Sequence, residues 1–113
     1  MSTSWPTAQR VFLEHLRAWH TGAPVIPVYL SAVDCLEAAH PGRSPEQLTR
    51  ADLELVRDEL LAGGHDAGEA VHAVVAWRTF FAALEAQGLL ASNPARHVAL
   101  PLPSGGRLSA GAQ

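Results

Sequence analysis

Apolar residues recur three or four positions apart along most of the chain, which is the spacing of one face of an α-helix. The first predicted helix begins near Pro6 and ends at Gly22, and the second runs from Pro24 or Pro27 to His40. Their predicted core-facing residues are Phe12, Leu16 and Trp19 in the first helix, and Tyr29, Val33 and Leu36 in the second.

Two local signals mark the starts of the third and fourth predicted helices. Thr49 followed by Asp52, and Asp66 followed by Glu69, have the spacing of a capping box, in which two residues bond to each other's backbone N–H. The fourth helix extends to Gln87 and is apolar nearly all round, which predicts that it is the central, buried helix of a bundle. The apolar residues are Leu53, Val56 and Leu60 in helix three, and Val71, Val74, Val75, Trp77, Phe80, Phe81 and Leu84 in helix four.

A final short helix is predicted to start at Asn93 as its N-cap, with Pro94 in its first position, and to end before Pro101. Alternating runs of β-branched residues, which are typical of strands, are absent from the sequence. The predicted fold is therefore all-α, a compact bundle of four or five helices over residues 1–102. Residues 103–113, PSGGRLSAGAQ, have the composition of a flexible tail or linker.

Composition and charge narrow the class of protein. A length of 113 residues, with 48% hydrophobic and 17% charged residues, suits one globular domain. The formal net charge of −3 is less typical of a nucleic-acid binder, and all of its eight basic residues are arginine. Cys35 is the only cysteine, the start of the chain has no signal-peptide pattern, and no apolar run reaches membrane-spanning length. We therefore expect a cytoplasmic protein that makes no contact with a membrane.

Candidate catalytic and metal-binding patterns are weak. The six histidines are scattered and lack the tight spacing of zinc ligands, and Cys35 within a helix is typical of a small packing residue. The sequence has no glycine-rich phosphate-binding loop between a strand and a helix. We therefore expect no catalytic residues, no metal, no cofactor and no small-molecule ligand.

Residues 77–94, WRTFFAALEAQGLLASNP, resemble a motif of tyrosine recombinases and phage integrases. The N-terminal core-binding domain of that family, a SAM-like helical domain, ends with a pattern close to LRxFFxxLxxxGxIxxNP, followed by a short helix and a proline-containing linker. TRADL at 49–53 and Tyr29 resemble two helices that precede the motif, so the resemblance covers about residues 5–103. The matching motif residues are Arg78, Phe80, Phe81, Leu84, Gly88, Leu90, Asn93 and Pro94.

This resemblance implies a DNA-binding module for site-specific recombination or DNA integration. The family's core-binding domain lays two helices, which correspond to helices two and four here, across the major groove of double-stranded DNA. No part of the sequence resembles the family's catalytic domain, so we expect no enzymatic activity, weak binding to duplex DNA, and either a catalytic recombinase domain or another protein as partner. The candidate DNA contacts are Ser31, Arg50, His72, Arg78 and Thr79.

The expected DNA face departs from the family pattern. His72 stands where the family commonly has arginine, and Val25 stands where it has threonine. Two interpretations stay open: a weak DNA-binding module, or a protein-interaction module in which this face has become an apolar contact surface. A positive potential on the face would favour the first, and a contiguous apolar patch the second. The predicted outward stripe of helix four consists of Glu69, His72, Ala76, Thr79 and Ala83.

Overall fold

Four α-helices make up most of the computed structural model, which describes residues 3–19, 22–64 and 66–101. In chain order they are α1 (Trp5–Ala18), α2 (Ile26–Ala39), α3 (Arg50–Ala62) and α4 (Ala67–Ala86). A single 3-10 turn, Pro45–Gln47, lies between α2 and α3, and the described residues contain no strand. The all-helical class and the four long helices are confirmed.

Side-chain caps begin three of the helices. The Ser4 hydroxyl accepts a hydrogen bond from the backbone N–H of Thr7 at the start of α1, at 3.3 Å. At α3, the Asp52 N–H donates to the Thr49 hydroxyl at 3.2 Å and the Thr49 N–H donates to the Asp52 carboxylate at 2.8 Å. Asp66 and Glu69 make the same reciprocal pair at α4. Both predicted capping boxes are confirmed.

The core is built around α4, which packs against each of the other three helices. Its aromatic side chains lie at the centre, where the Phe80 ring stacks on Trp5 at a centroid distance of 6.1 Å and meets the edge of Phe12 at 5.4 Å. The prediction that α4 is the buried helix is confirmed. The largest fully buried side chains are Trp77, Phe12, Phe80, Phe81, Leu16, Leu36, Leu53 and Leu84.

The predicted fifth helix is wrong. Asn93 caps the segment as expected, since its side-chain oxygen accepts from the Ala95 N–H at 2.8 Å. The following backbone bonds join residues three apart, from Arg96 N–H to Asn93 O and from Val98 N–H to Ala95 O, so the segment forms turns. Ala95 and Val98 of this segment are both fully buried in the core.

The predicted end of the first helix and the place of Trp19 are also wrong. The helix ends at Ala18, and Trp19 is the C-cap residue, 72% exposed, with its ring against His15 at 5.9 Å. Trp19 has the helical spacing of the core-facing residues Phe12 and Leu16. It lies just after the last residue of the helix, however, where no other segment covers its side chain. The predicted tail, 103–113, lies outside the described residues.

A groove between α2 and α4

α2 and α4 lie side by side and are tied together at their middle. The indole N–H of Trp77 donates to the Ala32 carbonyl oxygen at 2.9 Å, and Val33 of α2 is fully buried. This contact leaves a half-open cavity of about 320 Å³ next to it. From α2 the cavity is lined by Val28, Ser31, Ala32 and Cys35. From the other side it is lined by Leu60 of α3 and by Glu69, His72 and Ala73 of α4. We call it the α2/α4 groove.

Two of the five predicted DNA contacts meet in this groove. Ser31 and His72 both line it, and both residues are exposed. The expectation that helices two and four present polar side chains on one shared face therefore agrees with the position of these two residues.

The other three predicted contacts lie elsewhere. The Arg78 guanidinium is half-buried and donates to the carbonyl oxygens of Ala95 and Val98. The Thr79 hydroxyl donates to the Val75 carbonyl of its own helix at 3.0 Å. Arg50 lies in the first turn of α3 and forms an ion pair with Glu54 at 2.8 Å. None of the three lines the groove.

The predicted outward stripe of helix four is correct only at its start. Glu69 and His72 are exposed, but Ala76 and Ala83 are buried and Thr79 is half-buried. The more open side of α4 is instead offset by about one residue from the predicted stripe, and it carries Gly68, His72, Val75, Thr79, Ala82 and Ala86. Of the predicted stripe, only the part in the first two turns of α4 is exposed.

Most of the groove lining on α2 was not predicted from the sequence. Val28, Ser31, Ala32 and Cys35 occupy positions i, i+3, i+4 and i+7, so they share one face of the helix. This face lies beside the core face that carries Val33. The helical period could therefore have predicted that these four residues share a face, but it could not have predicted that the other helices leave this face uncovered.

No arginine is among the residues that line the α2/α4 groove. Of the seven arginines that the structure describes, five are held by other groups: Arg43, Arg50, Arg57, Arg78 and Arg96. The remaining two, Arg10 and Arg17, are exposed on α1, which contributes no residue to the groove. The charged residues of α2, Asp34 and Glu37, are exposed but do not line the groove, and Asp34 accepts a hydrogen bond from Gln9 of α1 at 2.8 Å.

Cys35 behaves as a packing residue of the groove wall. Burial is the main cause that raises the pKa of its thiol, and the nearby negative charge of Glu59 raises the same pKa further. A raised pKa keeps the thiol protonated and weakly nucleophilic. Within the described residues no three His, Cys, Asp or Glu side chains come together as a metal site.

Several residues that carry the resemblance to recombinases form hydrogen bonds that hold this chain's own fold together. The Asn93 side-chain amide donates to the Arg78 carbonyl at 3.1 Å, while the Arg78 side chain holds the turns after Asn93. Gly88 follows α4 with a φ of 76°, a left-handed conformation that glycine adopts without strain. The motif therefore fastens the last described segment onto α4, away from the α2/α4 groove.

Comparisons with models of protein families, with curated protein sequences and with solved structures give no match for this chain. Among the described residues, no helix is both long and apolar enough to cross a membrane.

Proposed function

We propose that the protein is a helical interaction module whose α2/α4 groove binds an apolar segment of a protein partner. The observation that carries the proposal is the lining of the groove, which is apolar along Val28, Ala32, Cys35, Leu60 and Ala73 and receives no arginine from the part of the chain described. Apolar, concave surfaces with a few polar groups at the rim are typical binding sites.

Exposed apolar side chains extend the groove towards the start of α2. Val28 is 51% exposed and Val25, nearly one turn before it, is 41% exposed. Covering such side chains removes apolar surface from water, which favours association by roughly 25 cal/mol per Å² before the costs of binding. A partner that enters the groove would therefore also cover Val25 and Val28.

A second candidate is weak binding to duplex DNA through the same face, as part of a recombinase or integrase. The observation that favours it is the position of Ser31 and His72, which are exposed and share the groove on the two helices that the family resemblance assigns to DNA. Phosphate contact depends chiefly on arginine and lysine, and the groove offers neither. This is why we place the protein partner first.

One pair of titrations tests both candidates. A short capped amphipathic peptide, with leucine at positions i, i+3, i+4 and i+7 and otherwise neutral, is added to isotopically labelled protein, and a duplex is added at about 20 mM salt in parallel, a condition that favours phosphate contacts. We expect the peptide to shift the backbone resonances of Ser31, Cys35 and His72, and the duplex to leave them unchanged. Duplex-induced shifts at these residues, lost on adding salt, would instead establish the DNA candidate.

A further inference from the structure

The bundle exposes both a large apolar side chain, Trp19, and an apolar cavity, the α2/α4 groove. Resting on the proposed function, we infer that the partner of the groove is a second copy of this chain, whose Trp19 indole enters it. Two copies related by a two-fold axis exchange their Trp19 side chains, so that each copy fills the groove of the other.

The Trp19 side chain is free to be given to another molecule. It is 72% exposed, and the one ring contact that it makes within the described residues is with His15 of its own helix, at 5.9 Å. The indoles of Trp5 and Trp77 donate to backbone carbonyl oxygens, whereas the Trp19 indole has no acceptor in the part of the chain described. Trp19 does not line its own groove, so an indole that fills the groove has to come from elsewhere.

The α2/α4 groove suits an indole in size and in chemistry. Its lining includes the small residues Ala32, Cys35 and Ala73, and its volume of about 320 Å³ lies at the lower end of the range of sites that bind small molecules. Ser31 and His72 are exposed in the same lining and offer acceptors for an indole N–H. A tryptophan that becomes buried usually finds such an acceptor, and the groove provides one together with apolar contact.

Trp19 and the groove lie at the same end of the bundle. Gln9 of α1 donates to Asp34 of α2 at 2.8 Å, and the Phe12 ring stacks on Tyr29 at 6.3 Å, so the two helices run antiparallel. Trp19, which follows the end of α1, therefore lies level with the start of α2, where the groove begins. A two-fold axis at this end can bring each indole to the other copy's groove, and such a pair closes at two chains.

The area involved predicts a weak pair. A tryptophan offers roughly 150–250 Å², so the exposed part of each Trp19 can bury roughly 110–180 Å². Counted on both partners, two insertions remove roughly 400–700 Å² from water, and the exposed Val25 and Val28 add to this area. Stable interfaces bury about 1,200 Å² or more. The pair is therefore transient, and dilution frees the groove for other segments.

Sedimentation between about 10 µM and 1 mM protein, a range in which weak complexes dissociate, measures the association. A reductant is present, because Cys35 could otherwise join two chains by a disulfide. We expect the mass to rise towards that of two chains. Tryptophan emission should shift to shorter wavelength over the same range, because Trp5 and Trp77 are already buried and only Trp19 leaves the solvent.

Trp19→Ala is the decisive variant and should stay monomeric throughout. Leu55→Ala removes another exposed apolar side chain outside the groove, and it should associate like the unmodified protein. Val28→Asp, which places a charge in the groove wall, should also stay monomeric. An equal mixture of Trp19→Ala and Val28→Asp should regain association, because one copy supplies the indole and the other supplies the intact groove.

The outcomes separate this inference from the proposed function. A protein that stays monomeric up to the highest concentration, while the amphipathic peptide still shifts the groove resonances, would overturn the inference and leave the proposed function in place. If the peptide also failed to bind, both would be wrong. Association that Trp19→Ala leaves unchanged would assign it to another surface, and a mass that rises beyond two chains would contradict the closed pair.

Discussion

The two ends of the bundle are built differently. At the end where α4 finishes, side chains bond to the backbone of neighbouring segments: the Trp5 indole donates to the Arg43 carbonyl at 2.7 Å, and Arg78 and Asn93 join α4 to the turns that follow. At the end where α2 and α4 begin, apolar side chains are more exposed, with Trp19 at 72%, Val28 at 51% and Val25 at 41%, against 36% for Leu89 just after α4. We call these the fastened end and the open end.

This contrast separates what makes the fold from what is available for recognition. The sequence motif that resembles recombinases falls on the fastened end, where its polar groups are used up in internal hydrogen bonds. The α2/α4 groove belongs to the open end, where Val28, Ser31 and His72 have side chains that a partner can reach. A match to the motif is therefore informative about architecture, while the chemistry of binding has to be judged at the other end.

The largest effect is expected in the core that both ends share. Phe81 is fully buried, so Phe81→Ala should lower the free energy of unfolding by roughly 3–5 kcal/mol. Chemical denaturation measures it, with the exposed Leu89→Ala as a control that should change stability by less than about 0.5 kcal/mol. A loss below about 1 kcal/mol for Phe81→Ala would contradict the central position of α4.

At the fastened end, Arg78→Ala should lower the free energy of unfolding by about 1–3 kcal/mol, because the buried carbonyls of Ala95 and Val98 lose a charged donor. Arg17→Ala, which removes an exposed arginine from α1, is the matched control and should be nearly neutral. If the two variants were equally stable, the bonds of Arg78 would not hold the end of the bundle together.

At the open end, the opposite combination is expected. Val28→Asp should leave the stability of the fold within about 0.5 kcal/mol of the unmodified protein, because Val28 is half exposed, yet it should abolish peptide binding in the groove. Thermal unfolding and the peptide titration are measured on the same sample. Leu55→Asp, an exposed apolar position on α3 that does not line the groove, should retain binding. Undiminished binding by Val28→Asp would place the site elsewhere.

The smallest expected effect is a dependence of the fold's stability on pH, which comes from Asp52 at the fastened end. The hydrogen bond from Arg43, followed by that from the Thr49 N–H, lowers the pKa of Asp52 to about 2. Because the folded protein binds this proton less readily than the unfolded chain, the carboxylate stabilises the fold above about pH 4, and the effect is lost as the pH falls towards 2. Denaturation of Asp52→Asn should therefore differ from the unmodified protein at pH 6 and approach it near pH 2. A difference that is independent of pH would contradict the assignment.

The sequence by itself determined the helices and most of their starts. Thr49 with Asp52, and Asp66 with Glu69, are signals contained within four residues, and the reciprocal bonds that they form depend on nothing distant in the chain. The apolar residues on nearly every side of α4 also predicted its burial, because a helix of that kind leaves large apolar side chains in water unless other helices surround it. Of the site, the sequence predicted Ser31 and His72 on a shared face of two helices.

Only the tertiary structure decided which surfaces stay open. Ala76 continues the stripe of His72 on a helical projection, yet three packed helices bury it while His72 remains exposed. Arg78 has the sequence character of a DNA contact, but two carbonyls of a segment about twenty residues further along take its hydrogen bonds. The physical reason is the same in both cases: periodicity and caps act within a few residues, whereas burial and the choice of a hydrogen-bond partner depend on segments that folding brings together.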